Sequence, residues 1–107
     1  MRRYAIVVFA ATVLGFAQNA HALNDWQATN WASACFSCHG PDGRSEGGMP
    51  AIASLSADVI YRAMIDFKSG ARSATVMHRH ARGYTDEQLR RIADAIADPD
   101  EAAGGAR

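Results

Sequence analysis

Five consecutive residues, Cys35-Phe36-Ser37-Cys38-His39, hold the strongest chemistry in this sequence. On a helical turn, side chains three and four positions apart share a face, so both thiols and the imidazole can point to one side. Two thiols so placed can add to the two vinyl groups of a haem as thioethers, with the imidazole under the iron as proximal ligand. C-x-x-C-H is the attachment signature of c-type haem, and it occurs once in the chain, so one covalent haem c is expected. Two other uses of Cys35 and Cys38 are weaker. A disulfide or redox pair of the thioredoxin kind belongs beside a βαβ pattern, and no convincing strand is present. A zinc site completed by His39, His78 or His80 would need an unusually close third ligand, and His78-Arg79-His80 is not a usual zinc spacing.

A proximal histidine needs a partner for its other ring nitrogen, to fix the tautomer and the ring angle. The loop after the motif offers one. Pro50 is the best-placed donor of a backbone carbonyl with restricted geometry, although it also reads as a plain turn residue. An iron held by His39 alone leaves one axial site open, and a soft thioether there would favour reduced iron and raise the potential. Three methionines follow the motif. Met49 stands beside Pro50 on the proximal loop, and Met64 continues an apolar helical stripe. Met77 lies on a later polar stretch that can cross to the opposite face, and it is the expected distal ligand. His78 or His80 in its place would give a bis-histidine haem of lower potential.

The elements that must position these groups are helical. Residues 24 to 39 read as a first helix, capped by Asn24 or Asp25 and stopped by Gly40-Pro41. Trp26, Asn30 and Ala34 fall on one line with Trp31 beside it, and the two tryptophans read as core packing. Residues 40 to 55 carry four glycines and two prolines and read as loop. Ser56 caps a second helix over about 57 to 68, with Asp58 in its first turn and Ile60, Ala63, Met64 and Phe67 on one face; Gly70 ends it. Residues 69 to 84 read as a polar loop. Thr85 and Gln88 form a capping box for a last helix that buries Leu89, Ile92, Ala93 and Ile96 and turns Arg90, Arg91 and Asp94 outward. Asp98-Pro99 stops it.

The first residues read as an export signal: Arg2 and Arg3, an apolar run from Ala5 to Ala17, and an A-x-A site at Ala20-His21-Ala22. The run is too short to span a bilayer comfortably, so residues 1 to 22 are expected to leave after Ala22, with no stable membrane span and a periplasmic mature chain. Residues 23 to 98 then form one small domain and 99 to 107 a frayed tail. The full chain of 107 residues balances eleven basic against eleven acidic side chains, and loss of Arg2 and Arg3 leaves a formal charge of −2. No basic run points to nucleic acid. A domain this small needs a staple, and a covalent haem would serve.

An early C-x-x-C-H helix, a Gly/Pro loop, a middle helix, a methionine segment and a C-terminal helix resemble a class I cytochrome c. Within that class, Cys38-His39-Gly40 with Asp42-Gly43, Pro50-Ala51-Ile52-Ala53, Phe67-Lys68-Ser69-Gly70, Thr75-Val76-Met77 and Arg82-Gly83-Tyr84 are similar to the haem subunit of flavocytochrome c sulfide dehydrogenase. The resemblance covers about residues 35 to 97. It implies a small all-α fold of three main helices around one covalent haem, with Cys35 and Cys38 attached, His39 and Met77 axial, and the Pro50 carbonyl on the proximal histidine. It also implies a partner, an FAD-containing flavoprotein that oxidises sulfide and passes single electrons to the haem. Two departures stand out. The chain carries one haem motif where some relatives have a second haem domain, and His78 and His80 replace the Gly and aliphatic residue of that family. Two other roles fit the residues: a free carrier between other redox proteins, and a haem enzyme or gas sensor with an open distal site. No nucleophile–base constellation is present, so catalysis by this chain alone is not expected.

Overall fold

The computed structural model describes residues 26–97. The export segment, the Asn24 or Asp25 cap, the Asp98-Pro99 stop and the tail from 99 lie outside them. The described residues are helical, with no strand among them. Helix α1 occupies residues 26–39. A single 3-10 turn, Pro41–Gly43, follows it. Then come α2 (Ala57–Ser69), the short α3 (Met77–Arg82) and α4 (Asp86–Ile96).

Local signals account for the two long internal helices. The Ser56 hydroxyl accepts the Val59 amide, Asp58 sits in the positive first turn of α2, and Gly70 ends the helix in the left-handed region at φ 84°. At α4 the capping box is complete. Thr85 Oγ1 accepts the Gln88 amide at 3.2 Å and Gln88 Oε1 accepts the Thr85 amide at 2.8 Å.

The core joins three helices. Ala32 of α1, Ile60 of α2, and Ile92, Ala93 and Ile96 of α4 form one buried cluster. On α1 the buried positions are Ala28, Ala32 and His39. This line differs from the expected one. Trp31 does pack against the core. Trp26, however, is 77% exposed, because it lies well away from the Ala28–Ala32 stripe around the helix. The small alanines let α1 approach α4 closely, which a tryptophan on that stripe would prevent.

The stretch 69–84 is not all loop. Met77–Arg82 is helical, with Ala81 fully buried as its anchor. Its sequence, Met-His-Arg-His-Ala-Arg, shows too little apolar period to announce a helix, yet holds no glycine, proline or β-branched residue to oppose one. Arg79, His80 and Arg82 lie in its last turn, where positive charge suits the helix dipole.

Candidate haem site

The motif sits at the end of α1, where Gly40 turns the chain. Gly40 has φ 83°, and a Cβ there would come within 2.7 Å of the Ser45 Cα, so only glycine fits. The loop then doubles back on one carbonyl. Gly43 O accepts the amides of Ile52 at 2.8 Å and of Ala53 at 3.1 Å. These two hydrogen bonds to one oxygen close residues 44–51 into a loop whose far side returns to the end of α1.

The result is a fixed histidine. His39 Nδ1 lies 2.6 Å from the Pro50 carbonyl oxygen. A carbonyl only accepts, so Nδ1 must carry the proton. That leaves the lone pair on Nε2, the atom a metal would take. His39 is also the sole buried polar residue among those described, at 8% exposure. An imidazole buried in this way, with one nitrogen held and the other left basic, is built to ligate.

The other candidates are placed less directly. Cys35 is half-buried against the core cluster, Cys38 is exposed, and both are free thiols. Burial pushes the Cys35 thiol above its ordinary value. The nearby Cys38 adds to the rise, and a backbone hydrogen bond opposes it. No strand is present among the described residues, so the βαβ setting of a thioredoxin-like pair is missing there. Among the described residues no group of three or more His, Cys, Asp and Glu side chains could hold a metal ion, so His78 and His80 do not gather with the cysteines as a zinc set. A thiol pair and a buried imidazole with a free Nε2 are the donors a covalent haem uses, so the residues present fit that group.

Met77 is the first residue of α3 and is half-buried. Met64 is half-buried and packs against the core, as its stripe suggested. Met49 is 40% exposed, and His80 is exposed beside a half-buried His78. The segment bearing Met77 is fastened at its base by a residue that sequence patterning did not single out. Lys68, in the last turn of α2, donates from Nζ to the Tyr84 carbonyl at 2.9 Å and to Asp86 Oδ1 at 2.7 Å. The Arg82 Nε reaches back to the Lys68 carbonyl in a long contact of 3.5 Å. Both ends of the span from 69 to 84 are therefore held together. In the sequence Lys68 stands out only within the Phe67-Lys68-Ser69-Gly70 stretch of the family resemblance, and by itself it reads as an ordinary solvated charge.

Aromatic residues complete the frame. Tyr84 meets Trp31 edge-on with centroids 6.2 Å apart, and Arg91 lies 5.1 Å over the Trp31 ring. Arg90 lies 4.2 Å over Tyr61 and pairs with Asp58 at 2.7 Å. The arginines expected to face solvent are thus half-buried through their stems and planes.

With that geometry in place, comparison with known proteins identifies the class. No family model matches the chain. It is 33% identical over 92 residues to cytochrome c-553 of Helicobacter pylori, an alignment spanning 84% of this chain and 93% of that one. The chain belongs to the class I c-type cytochromes, and haem c is its covalent cofactor. Within that class it is 49% identical over 61 residues to the cytochrome subunit of sulfide dehydrogenase from Chlorobaculum tepidum, covering 57% of this chain and 56% of the relative. It is also 38% identical over 79 residues to a thiosulfate dehydrogenase electron acceptor of Stutzerimonas stutzeri, covering 69% of this chain and 37% of the relative. The chain thus spans about half of the first of these two and little more than a third of the second. Electron transfer is the function these relatives share. No helix among the described residues is long and apolar enough to cross a membrane.

Proposed function

We propose that this chain is an exported monohaem cytochrome that accepts single electrons from a sulfide-oxidising, FAD-containing flavoprotein. The observation that carries the haem assignment is the 2.6 Å contact between His39 Nδ1 and the Pro50 carbonyl, which leaves Nε2 free to ligate. Cys35 and Cys38 would supply the thioether sulfurs, and His39 and Met77 the nitrogen and sulfur that hold the iron. Haem supplies a one-electron couple when bound. The protein's part is to hold that couple. The Pro50 carbonyl keeps the proton on Nδ1 and fixes the imidazole plane. The Lys68 strut ties together the two ends of the segment that bears Met77, which would keep its thioether in place when haem is bound. A thioether on one side and a hydrogen-bonded imidazole on the other favour a potential suited to accepting electrons.

The flavoprotein partner is supported by the similarity to a sulfide dehydrogenase cytochrome subunit over the motif-bearing part of the chain. Export to the periplasm is supported by the Arg2-Arg3, apolar and A-x-A sequence at the start. A second reading, a carrier that serves another sulfur-compound dehydrogenase, is favoured by the likeness to a thiosulfate dehydrogenase electron acceptor. The test is anaerobic mixing of the oxidised holo-protein with a sulfide dehydrogenase flavoprotein plus sulfide, and separately with a thiosulfate dehydrogenase plus thiosulfate. Haem reduction in the first mixture, within the turnover time of the flavoprotein, is expected. Reduction in the second alone would replace the first reading by the second.

A further inference from the structure

Between Asp66 and Asp86 the chain has no acidic residue, while it carries Lys68, Arg72, Arg79 and Arg82. The folded structure gathers these charges. The Arg72 guanidinium lies 5.3 Å over the Phe67 ring, and Arg82 reaches the Lys68 carbonyl, so both return to the last turn of α2. Arg79 is three residues before Arg82 on α3, on the same side of that helix. All three arginines are exposed, and none makes an ion pair among the described residues. The acids that flank the stretch do not cancel them. Asp86 is held at 2.7 Å by Lys68, and Asp66 is one carboxylate against three guanidinium groups that have no ion pair among the described residues. In the middle of the same segment Val76 is 47% exposed, next to Met77.

We propose that the corner formed by the last turn of α2 and by α3 is a docking surface for an acidic protein partner, with Arg72, Arg79 and Arg82 as its charged rim. The proposal rests on the reading that Met77 ligates the haem, which puts this corner at the cofactor's border. An exposed apolar residue on a segment that carries three exposed arginines has the composition of a protein interface, where arginine is enriched and lysine depleted. An anionic lipid surface is instead met by dense lysine and arginine clusters or by a long amphipathic helix, and α3 has six residues. The full chain is formally neutral, so this local excess of positive charge is matched by acid elsewhere. Such an asymmetric field orients an encounter more than it strengthens it.

The test uses the reduced holo-protein and two one-electron oxidants of opposite charge, hexacyanoferrate(III) and cobalt(III) tris-phenanthroline. In each reaction one electron leaves the ferrous haem and reduces the reagent. Hexacyanoferrate stands in for an acidic partner. Its rate with the wild-type protein should fall as salt rises. The combined variant Arg72→Gln, Arg79→Gln, Arg82→Gln should slow it about tenfold at low salt, speed the cobalt reagent, leave the visible spectrum unchanged and shift the potential only slightly downward, as loss of exposed, screened positive charge requires. Each single variant should show part of the effect, and Arg62→Gln, one turn after Asp58 on α2, should show none. Unchanged hexacyanoferrate rates and salt dependence in the combined variant would overturn the surface. So would loss of binding to phosphatidylglycerol vesicles without any change in either reagent's rate, which would make the patch a lipid contact. If the ion asymmetry holds but sulfide-reduced flavoprotein fails to reduce the haem, the surface stands and the flavoprotein assignment falls.

Discussion

Replacing Lys68 by Met keeps the aliphatic stem and removes the ammonium that ties α2 to the start of α4. Two contacts are lost, to the partly buried Tyr84 carbonyl at 2.9 Å and to Asp86 at 2.7 Å. A charged donor on a carbonyl contributes about 1.5–3 kcal/mol, and an exposed ion pair about 0.2–1 kcal/mol. The Asp86 side chain is 67% exposed, so the pair belongs at the low end. The expected cost of Lys68→Met is therefore about 2 kcal/mol, or a fall in Tm of about 10 °C for a domain of this size. Asp86→Asn removes only the ion pair and one favourable charge at the α4 N-terminus, and should cost about 1 kcal/mol. Thermal unfolding of both ferric holo-proteins, followed by far-ultraviolet circular dichroism, measures the two values. Because the strut closes the base of the Met77 segment, Lys68→Met should also lose the sulfur-to-iron charge-transfer band at a lower temperature than the helices melt. Equal costs for the two variants, with the band and the helices lost together, would refute the idea that the carbonyl contact holds the segment.

Three further outcomes are expected. Met77→Ala should abolish the far-red sulfur-to-iron band of the ferric protein and lower its potential, while Met49→Ala and Met64→Ala keep the band; optical spectra with redox titration decide this. The double variant Cys35→Ala, Cys38→Ala should lose covalent haem, seen as a mass without it, and with it any cooperative thermal transition. Arg90 holds the Asp58 carboxyl below its ordinary range, first through the hydrogen bond and then through its charge. Asp58→Asn should therefore lower Tm slightly at neutral pH. That difference is fully present above the ordinary carboxylate range and should vanish as pH falls through the lowered value, because a protonated Asp58 no longer favours the fold.

Local chemistry made much of this molecule legible. The Thr85 and Gln88 box, the Ser56 cap and the Gly70 stop are contacts within a few residues, and each appears where its residue types placed it. The C-x-x-C-H turn is local for the same reason. Pro50 was readable as a partner for His39 because a loop rich in glycine and proline must return somewhere, and a buried imidazole needs an acceptor. The misses are all tertiary. Trp26 shares a helical line with Asn30 and Ala34, but α4 demanded small residues, so Ala28 and Ala32 took the buried face. Helix α3 is specified by one buried alanine and its neighbours, which no periodicity in six residues can reveal. Lys68 became a strut only because Tyr84 and Asp86, sixteen and eighteen residues on, fold back to it.

The small size of the buried core links the fold to the function. Nine hydrophobic residues are buried among those described, and five of them are alanines, which leaves Ile60, Leu89, Ile92 and Ile96 as the large ones. Around them Trp31, Phe36, Ile52, Tyr61, Met64 and Tyr84 are only partly covered. A domain this small buries a limited share of its apolar surface and is marginal without a staple. The apolar surface that these side chains leave uncovered is where a large flat group held at Cys35 and Cys38 would pack. On this account the cofactor is part of the core as well as the redox centre. A change that loosens its attachment should therefore act on stability and on potential together, and the two effects should rise in proportion from the exposed Cys38 to the half-buried Cys35.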